Sequence, residues 1–469
     1  MFTGFNPLRI ISVATLTFSL LVSSRSFAKD ESAVAASAGL ERLDFREVVQ
    51  EAKGRVFPTV VFIKCVAEVM ESGVKQSREV AGSGVLISAD GEVLSNWHVV
   101  ERATAVRCLL QDGRAFEAKV TGSDKDTDVA LLKLQMPAGT APLQFAKLGE
   151  ARILTEGDFV MAMGAPYGLA RSVSIGIISC TKRYLPTASE YSSWLQTDAS
   201  ISPGNSGGPL VNTRGEVIGI NTRGMSGIMG GDTGFAVPID VARDVLGQIR
   251  KLGRMEWSWT GLQLQPLKDF NRNVYFPGNE GVLVAETDPG SPARRAGIEA
   301  GDRLVKLNGA ALNGLTQEDL PEVRRQLGLL ALDQPAKIEL VRKGGTRIIE
   351  ITPRAKGKVE GDTVDCPRWD FTARAINQFD NPELYFQRNE GVFVFGVKYP
   401  GNASGAGLMQ EDIIQSFDGQ EVKTLDDMRA AHKKALAGLP GKHRVLISVL
   451  RNGALRQVVL DFSRQFDKP

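Results

Sequence analysis

The sequence predicts a mainly β protein, in which an all-β sandwich or barrel domain precedes two smaller α/β modules that repeat one another. Three observations carry this. From Pro58 to Pro238 the chain is a series of short β-branched and apolar runs punctuated by glycine, the pattern of many short strands joined by tight turns. A helical period follows, at Ile239–Leu252, where Val241, Val245 and Ile249 fall on one face. Beyond the helix, Tyr275-Phe276-Pro277-Gly278-Asn279-Glu280-Gly281-Val282-Leu283-Val284 recurs as Tyr385-Phe386-Gln387-Arg388-Asn389-Glu390-Gly391-Val392-Phe393-Val394. The register then holds without a gap, pairing Ala293 with Ala403, Asp302 with Asp412 and Gly309 with Gly419, so the second half duplicates a unit of about a hundred residues.

At the N-terminus, Arg9 precedes an apolar run from Ile10 to Val22 that ends at Ser26-Phe27-Ala28. Small residues at the two positions a signal peptidase reads predict a signal peptide over 1–28 and a periplasmic or secreted mature chain. The run is shorter than the ~20 residues a span requires; an uncleaved anchor, with peripheral membrane contact, is the alternative. Residues 29–55 read as a flexible Ala/Ser-rich segment and a short amphipathic helix, Leu43 to Ala52. The β-rich domain covers 56–253, with strands expected at Thr59–Lys64, Gly84–Ser88, Ala105–Leu110, Val129–Leu134, Asp158–Met163, Val173–Ser179 and Val217–Asn221. The two modules cover 257–354 and 367–463, each with a helical stretch (Glu318–Leu327; Leu425–Leu436) and a final strand (Lys337–Arg342; Arg444–Arg451). Residues 355–366, rich in Lys, Gly and Asp, read as the linker between them.

With 43% hydrophobic and 23% charged residues over 469 positions, the chain has apolar material for several cores. A net charge of +2 without a basic tract argues against nucleic acid as a partner. Four scattered cysteines (Cys65, Cys108, Cys180, Cys366) and three isolated histidines (His98, His432, His443) form no metal-ligand spacing. There is no glycine-rich lysine loop for nucleotide phosphates. No metal or cofactor is expected. Export permits disulfides; Cys65 and Cys108 fall in predicted strands, and the sequence does not decide whether they pair.

Ser206 lies in Ser202-Pro203-Gly204-Asn205-Ser206-Gly207-Gly208-Pro209. A serine nucleophile needs a base, usually histidine. His432 and His443 lie far toward the C-terminus, so the base is His98, in Asn96-Trp97-His98-Val99-Val100. A third, buried carboxylate would fix the imidazole tautomer. Asp112 precedes Gly113 and reads as a hairpin turn, and Asp124 and Asp126 read as polar loop residues. Asp128 opens the apolar strand Val129-Ala130-Leu131-Leu132-Lys133-Leu134, at the edge of a core, and is the choice. The order His98, Asp128, Ser206 is one of those known for this geometry. Acyl transfer also needs backbone N–H donors aimed at the developing oxyanion; the glycine-flanked turn Gly204, Asn205, Ser206 supplies them, with the Gly204 and Ser206 N–H groups as the pair.

These blocks resemble the HtrA/Deg serine proteases: Asn96-Trp97-His98-Val99-Val100, Thr127-Asp128-Val129-Ala130-Leu131-Leu132 and Pro203-Gly204-Asn205-Ser206-Gly207-Gly208-Pro209-Leu210-Val211 match the three catalytic blocks. The repeats are similar to two PDZ domains, through Gly281-Val282-Leu283-Val284, Ser291-Pro292-Ala293, Gly301-Asp302 and Leu307-Asn308-Gly309. The resemblance implies a chymotrypsin-like double β-barrel protease domain followed by two α/β PDZ domains. It also implies a homotrimer or larger homo-oligomer that degrades unfolded or misfolded envelope polypeptides without ATP. His98, Asp128 and Ser206 fall on the family's triad positions. Where a trypsin-like enzyme carries an acidic specificity residue stands Ser200, so an S1 pocket of Ser200, Ile201, Ile218 and Ile220 should take small or medium apolar side chains. The first PDZ should capture C-terminal peptides at Trp259, Thr260, Gly261 and Leu262, with strand addition along Leu262–Leu264 and a side-chain pocket of Leu320, Val323 and Leu327. The second has Arg368-Trp369-Asp370-Phe371 at that loop, without the glycine. Ala67 to Val80, where the family carries a regulatory loop, is short. The alternatives are a non-proteolytic chaperone or peptide-binding scaffold, and a membrane-anchored signalling protease.

Overall fold

The computed structural model describes residues 44–71, 74–166, 171–185, 189–226, 232–269, 271–343, 345–357 and 361–466. The expected signal peptide lies outside them. Among the described residues no helix is long and apolar enough to cross a membrane.

Helix Phe45–Val56 is followed by two six-stranded closed barrels. The first holds β1 (Val60–Glu71), β2 (Val74–Leu86), β3 (Glu92–Ser95), β4 (Ala103–Leu109), β5 (Ala115–Asp124) and β6 (Val129–Leu134), in the order β1-β2-β3-β6-β5-β4. The second holds β7 (Phe159–Gly164), β8 (Ser172–Arg183), β9 (Trp194–Thr197), β10 (Pro209–Asn212), β11 (Val217–Ser226) and β12 (Asp232–Pro238), in the order β10-β11-β12-β9-β8-β7. Closure removes sheet edges. The fold is therefore the mainly β, chymotrypsin-like double barrel. The expected strands are present, and β3, β5, β9, β10 and β12 are added to them. The β1–β2 ladder runs from Val60↔Val85 to Glu71↔Val74, so the Ala67–Val80 segment is a hairpin continuing the barrel strands.

Barrel two and the helix Ile239–Leu252 share one core, with Trp194, Phe235 and Met163 fully buried. The helix ends at Gly253, whose left-handed backbone (φ 73) lets its N–H reach Ile249 O. Cys65 and Cys108, in neighbouring strands of barrel one, are both buried free thiols, and burial pushes them up to about 11 and about 12.

The two following modules repeat one sheet. The first has Leu262–Gln265, Val282–Thr287, Arg303–Leu307, Ala336–Arg342 and Gly345–Ile351 in that spatial order; the second has Phe371–Ala375, Val392–Val397, Ile413–Phe417, Arg444–Arg451 and Ala454–Asp461. Even a buried ion pair is repeated: Arg342 clasps Asp302 (2.5 and 2.6 Å) as Arg451 clasps Asp412 (2.6 and 2.6 Å). One difference matters. Among the described residues the outer edge of Leu262–Gln265 is unpaired, whereas Phe371–Ala375 is already paired along its outer edge with Thr363–Cys366. Part of the expected linker is thus a strand of the second module.

Candidate active site

The carboxylate comes first. Asp128 sits just before β6 with φ 57, a left-handed conformation that aspartate tolerates better than most residues. Its side chain is 4% exposed. It receives the backbone N–H of His98 at 3.1 Å, and His98 Nδ1 lies 2.9 Å from both of its oxygens. Asn96 Nδ2 donates to Asp128 O at 2.9 Å, fixing the strand entrance against the turn that bears His98. With Nδ1 donating to the carboxylate, Nε2 is left as the proton acceptor. A residue that sequence reasoning missed completes the group: Thr222, buried on β11, donates its Oγ1 hydrogen to Asp128 Oδ2.

Ser206 Oγ donates to Thr222 O at 2.8 Å. Among the described residues no hydrogen bond joins it to His98. The three predicted residues are thus linked through Thr222, with the Asp–His half engaged and the serine turned to the β11 backbone. The nucleophile turn itself is fastened to barrel one by Ser83 on β2, which is fully buried. Ser83 N donates to Ser206 O (2.8 Å), Ser83 Oγ donates to Gly204 O (2.6 Å), and Ala165 N donates to Ser83 Oγ (2.8 Å). The approach is so close that Gly207, at φ 85, has no room for a Cβ, which would meet Ser83 O and Ser95 Oγ. Glycine is required here by space as well as by backbone angle.

The oxyanion expectation needs one correction. The Asn205 N–H is bound to Ser202 O at 3.0 Å, so it is not a free donor. The N–H groups of Gly204 (φ 99) and Ser206 have no partner among the described residues. The S1 expectation needs another. Ile218 and Ile220 are 0% and 1% exposed, both in the shared barrel core, because a barrel wall backed by a helix buries both faces of β11. Ser200 is exposed and Ile201 half-buried, packed over Gly234.

In the first module, Trp259, Thr260, Gly261 (φ 72), Leu262 and Leu264 line a cavity of about 1110 Å³. Leu327 lines it too, but Leu320 and Val323 are 2% and 1% exposed and belong to the module's core. The helix uses one apolar stripe for that core, and Arg324 turns to the cavity instead. In the second module, Asp370 takes the left-handed angle (φ 58) that Gly261 takes in the first, held by Asn402 N at 2.8 Å. His432 is half-buried with its ring edge-on to Trp369 (centroids 4.8 Å), and burial lowers its pKa.

The first module reaches back to the turn that carries Asp128. Trp257 Nε1 donates to Asp124 Oδ1 at 2.9 Å and stacks on Tyr191 (centroids 4.0 Å). Burial, reinforced by the charge of Asp126, pushes Asp124 up to about 6, so it is no polar loop residue. Lys356, in the expected linker, has a side chain only 4% exposed and lies 2.5 Å from Glu190 and 3.1 Å from Asp126. Burial works against its charge, but Glu190 and Asp126 outweigh it and hold the ammonium above its ordinary range.

Comparison with known proteins follows the same outline. Residues 82–220 match the trypsin-like peptidase domain, and residues 250–332 match the PDZ domain. Only this first module is matched as a PDZ. A probable periplasmic serine endoprotease DegP-like from Halomonas elongata is 33% identical over 404 residues, covering 84% of this chain and 81% of its own. One from Pseudomonas fluorescens is 34% identical over 384 residues, covering 79% and 77%. The solved structure of the HtrA-type protease AlgW with tripeptide is 31% identical with a TM-score of 0.56, covering 65% of this chain and 96% of that one. The same protease with decapeptide gives 28% and 0.53, covering 65% and 98%.

Proposed function

Since the chain belongs to the HtrA/DegP-like family of trypsin-like serine endoproteases, we propose that His98, Asp128 and Ser206 are its catalytic residues and that it cleaves unfolded polypeptides of the envelope. The observation that carries this is the Asp128–His98 pair at 2.9 Å, which orients Nε2 as the base beside a serine turn of the second barrel that is anchored to the first.

Ser206 Oγ leaves Thr222 O by rotation about its Cα–Cβ bond, gives its proton to His98 Nε2, and attacks the scissile carbonyl carbon. The resulting oxyanion is held by the N–H groups of Gly204 and Ser206, each donor being worth roughly 3–4 kcal/mol of barrier. Imidazolium then returns the proton to the leaving amine as the C–N bond breaks. Water, deprotonated by the same nitrogen, hydrolyses the acyl-enzyme. Asp128 stays ionised throughout and stabilises the imidazolium.

The second module is read as a further PDZ-like domain on its repeated sheet, with no peptide capture by strand addition because its edge is taken. The names of its relatives support a periplasmic enzyme, with which the expected signal peptide over 1–28 agrees, and we read it as a homo-oligomer. The decisive experiment is fluorophosphonate labelling beside cleavage of denatured casein, comparing the natural chain with Ser206→Ala. Absence of labelling with denatured substrate present overturns the protease assignment of Ser206. Sequencing the mature N-terminus tests export: a start at Lys29 supports it, and an intact Met1 favours the anchor.

A further inference from the structure

We propose that the second module forms the far wall of the first module's peptide cleft, so that one C-terminal peptide is gripped by both. This rests on the reading of the first module as a peptide-binding PDZ and adds a specificity element to it. The 1110 Å³ cavity at Trp259–Leu264 is not lined by the first module alone: Phe379, Pro382, Tyr385 and Phe386 of the second module line it as well, as do Asp126, Glu190 and Tyr191 of the barrel domain. These residues lie on and just before the short helix Pro382–Gln387. Phe379 meets Trp259 edge-on (centroids 6.4 Å), tying the two walls together. Phe386 is 92% exposed, a large apolar ring presented to the cavity with almost no cover of its own.

The occupant is set by charge and by the open edge. Arg324 and Arg354 line the cavity and pair with no carboxylate among the described residues; the Arg354 guanidinium instead stacks on Trp259 at 4.2 Å. Asp126, Glu190 and Asp288 line the cavity too, the first two matched by Lys356 and the third accepting from Gln263 Nε2 at 3.0 Å, so the two arginines are left for a free terminal carboxylate. The unpaired edge of Leu262–Gln265 accepts an extended chain. Phe386 and Tyr385 then select a large apolar or aromatic side chain near that terminus. The second module has spent its own edge on Thr363–Cys366, so this wall is what it contributes to peptide binding.

The test uses the full-length chain carrying Ser206→Ala, which prevents cleavage, and fluorescein-labelled decapeptides ending in Trp-Val-Phe, in Ala-Val-Ala, or in Trp-Val-Phe-amide. Fluorescence anisotropy should show Phe386→Ala weakening the Trp-Val-Phe peptide about 5- to 30-fold while the Ala-Val-Ala peptide changes by less than twofold; Tyr385→Ala should act in the same direction. An unchanged Kd for the aromatic peptide in both variants overturns the proposal while leaving the PDZ reading intact. Tighter binding in Phe386→Ala overturns it by making the second module a lid. If the amide binds as well as the free acid, or no peptide binds, the carboxylate reading of the first module fails and the proposal with it. Because Phe386 is exposed, its replacement leaves the fold in place.

Discussion

Replacing Thr222 by valine removes one hydroxyl and keeps the shape of the side chain. In the native site that hydroxyl donates to Asp128 Oδ2, while the carboxylate keeps the His98 Nδ1 contacts at 2.9 Å and the His98 N–H at 3.1 Å. A hydrogen bond to a charged group is worth about 1.5–3 kcal/mol. Here the carboxylate retains two donors, so the lower end applies, and about 1.5–2 kcal/mol of transition-state orientation corresponds to a roughly 10- to 30-fold loss of kcat/KM. Thr222 O, which holds Ser206 Oγ, is a backbone atom and survives the change. Steady-state cleavage of an internally quenched peptide should therefore fall by that factor, with a parallel fall in fluorophosphonate labelling. Thr222→Ser, which restores the hydroxyl, should return to within about threefold, a recovery that a mere packing defect would not show. Native kcat/KM in Thr222→Val, with an unchanged thermal midpoint, would refute the idea that Thr222 positions the carboxylate.

Other outcomes follow from the same geometry. Ser83→Ala removes the Oγ bonds to Gly204 O and from Ala165 N, so labelling of Ser206 should slow by roughly 10- to 100-fold; an unaltered rate means the β2 anchor is dispensable. Gly207→Ala forces a Cβ against Ser83 O and Ser95 Oγ at φ 85, and labelling should be lost altogether, a result checked by mass spectrometry of the intact protein. Lys356→Met leaves Asp126 and Glu190 facing each other without a cation, a loss on the order of 3 kcal/mol at a buried pair, less here because Glu190 is about half exposed. Limited trypsin digestion at Arg250–Arg254 should accelerate in that variant, and equal rates would show the ion cluster does not hold the first module. Trp257→Phe removes the donor to Asp124. With its carboxyl pushed up to about 6, Asp124 binds more protons folded than unfolded between roughly pH 4 and 6, so its contribution to stability falls as pH rises through that window and is flat above it. The charged form needs the indole donor more than the neutral one does, so the drop in thermal midpoint should be larger at pH 7.5 than at pH 5; equal drops count against this.

The residues proposed as nucleophile, base and carboxylate stand out in the sequence because their residue types are scarce or oddly placed. With three histidines, His98 was nearly forced, and Asp128 stood alone at the head of an apolar strand. Thr222 and Ser83 were not legible, since hydroxyl residues are common and these act only once β11 and β2 are folded against the site. The period-2 signal of the strands was clear, but which face a strand hides was not. Ile218 and Ile220 look like cleft residues on a half-buried strand, and the helix Ile239–Leu252 covers the side that the sequence leaves open. Likewise Leu320 and Val323 had the right spacing for a pocket, and the same spacing serves a core. Lys356 sat in a stretch whose composition reads as solvated linker, and only its carboxylate partners, which come from residues more than a hundred positions earlier, explain its burial.

The fastening of the Ser206 turn to β2 through Ser83 bears on when this enzyme becomes dangerous to its neighbours. The proposed base and carboxylate belong to the first barrel, the proposed nucleophile to the second, and the backbone that shapes the serine turn is held by the first. A chain entering the envelope N-terminus first therefore carries no cutting centre until both barrels have closed and met. A partly unfolded molecule loses the centre in the same event that separates them. Damage to the enzyme silences it, and its own unfolded copies become substrate for intact ones.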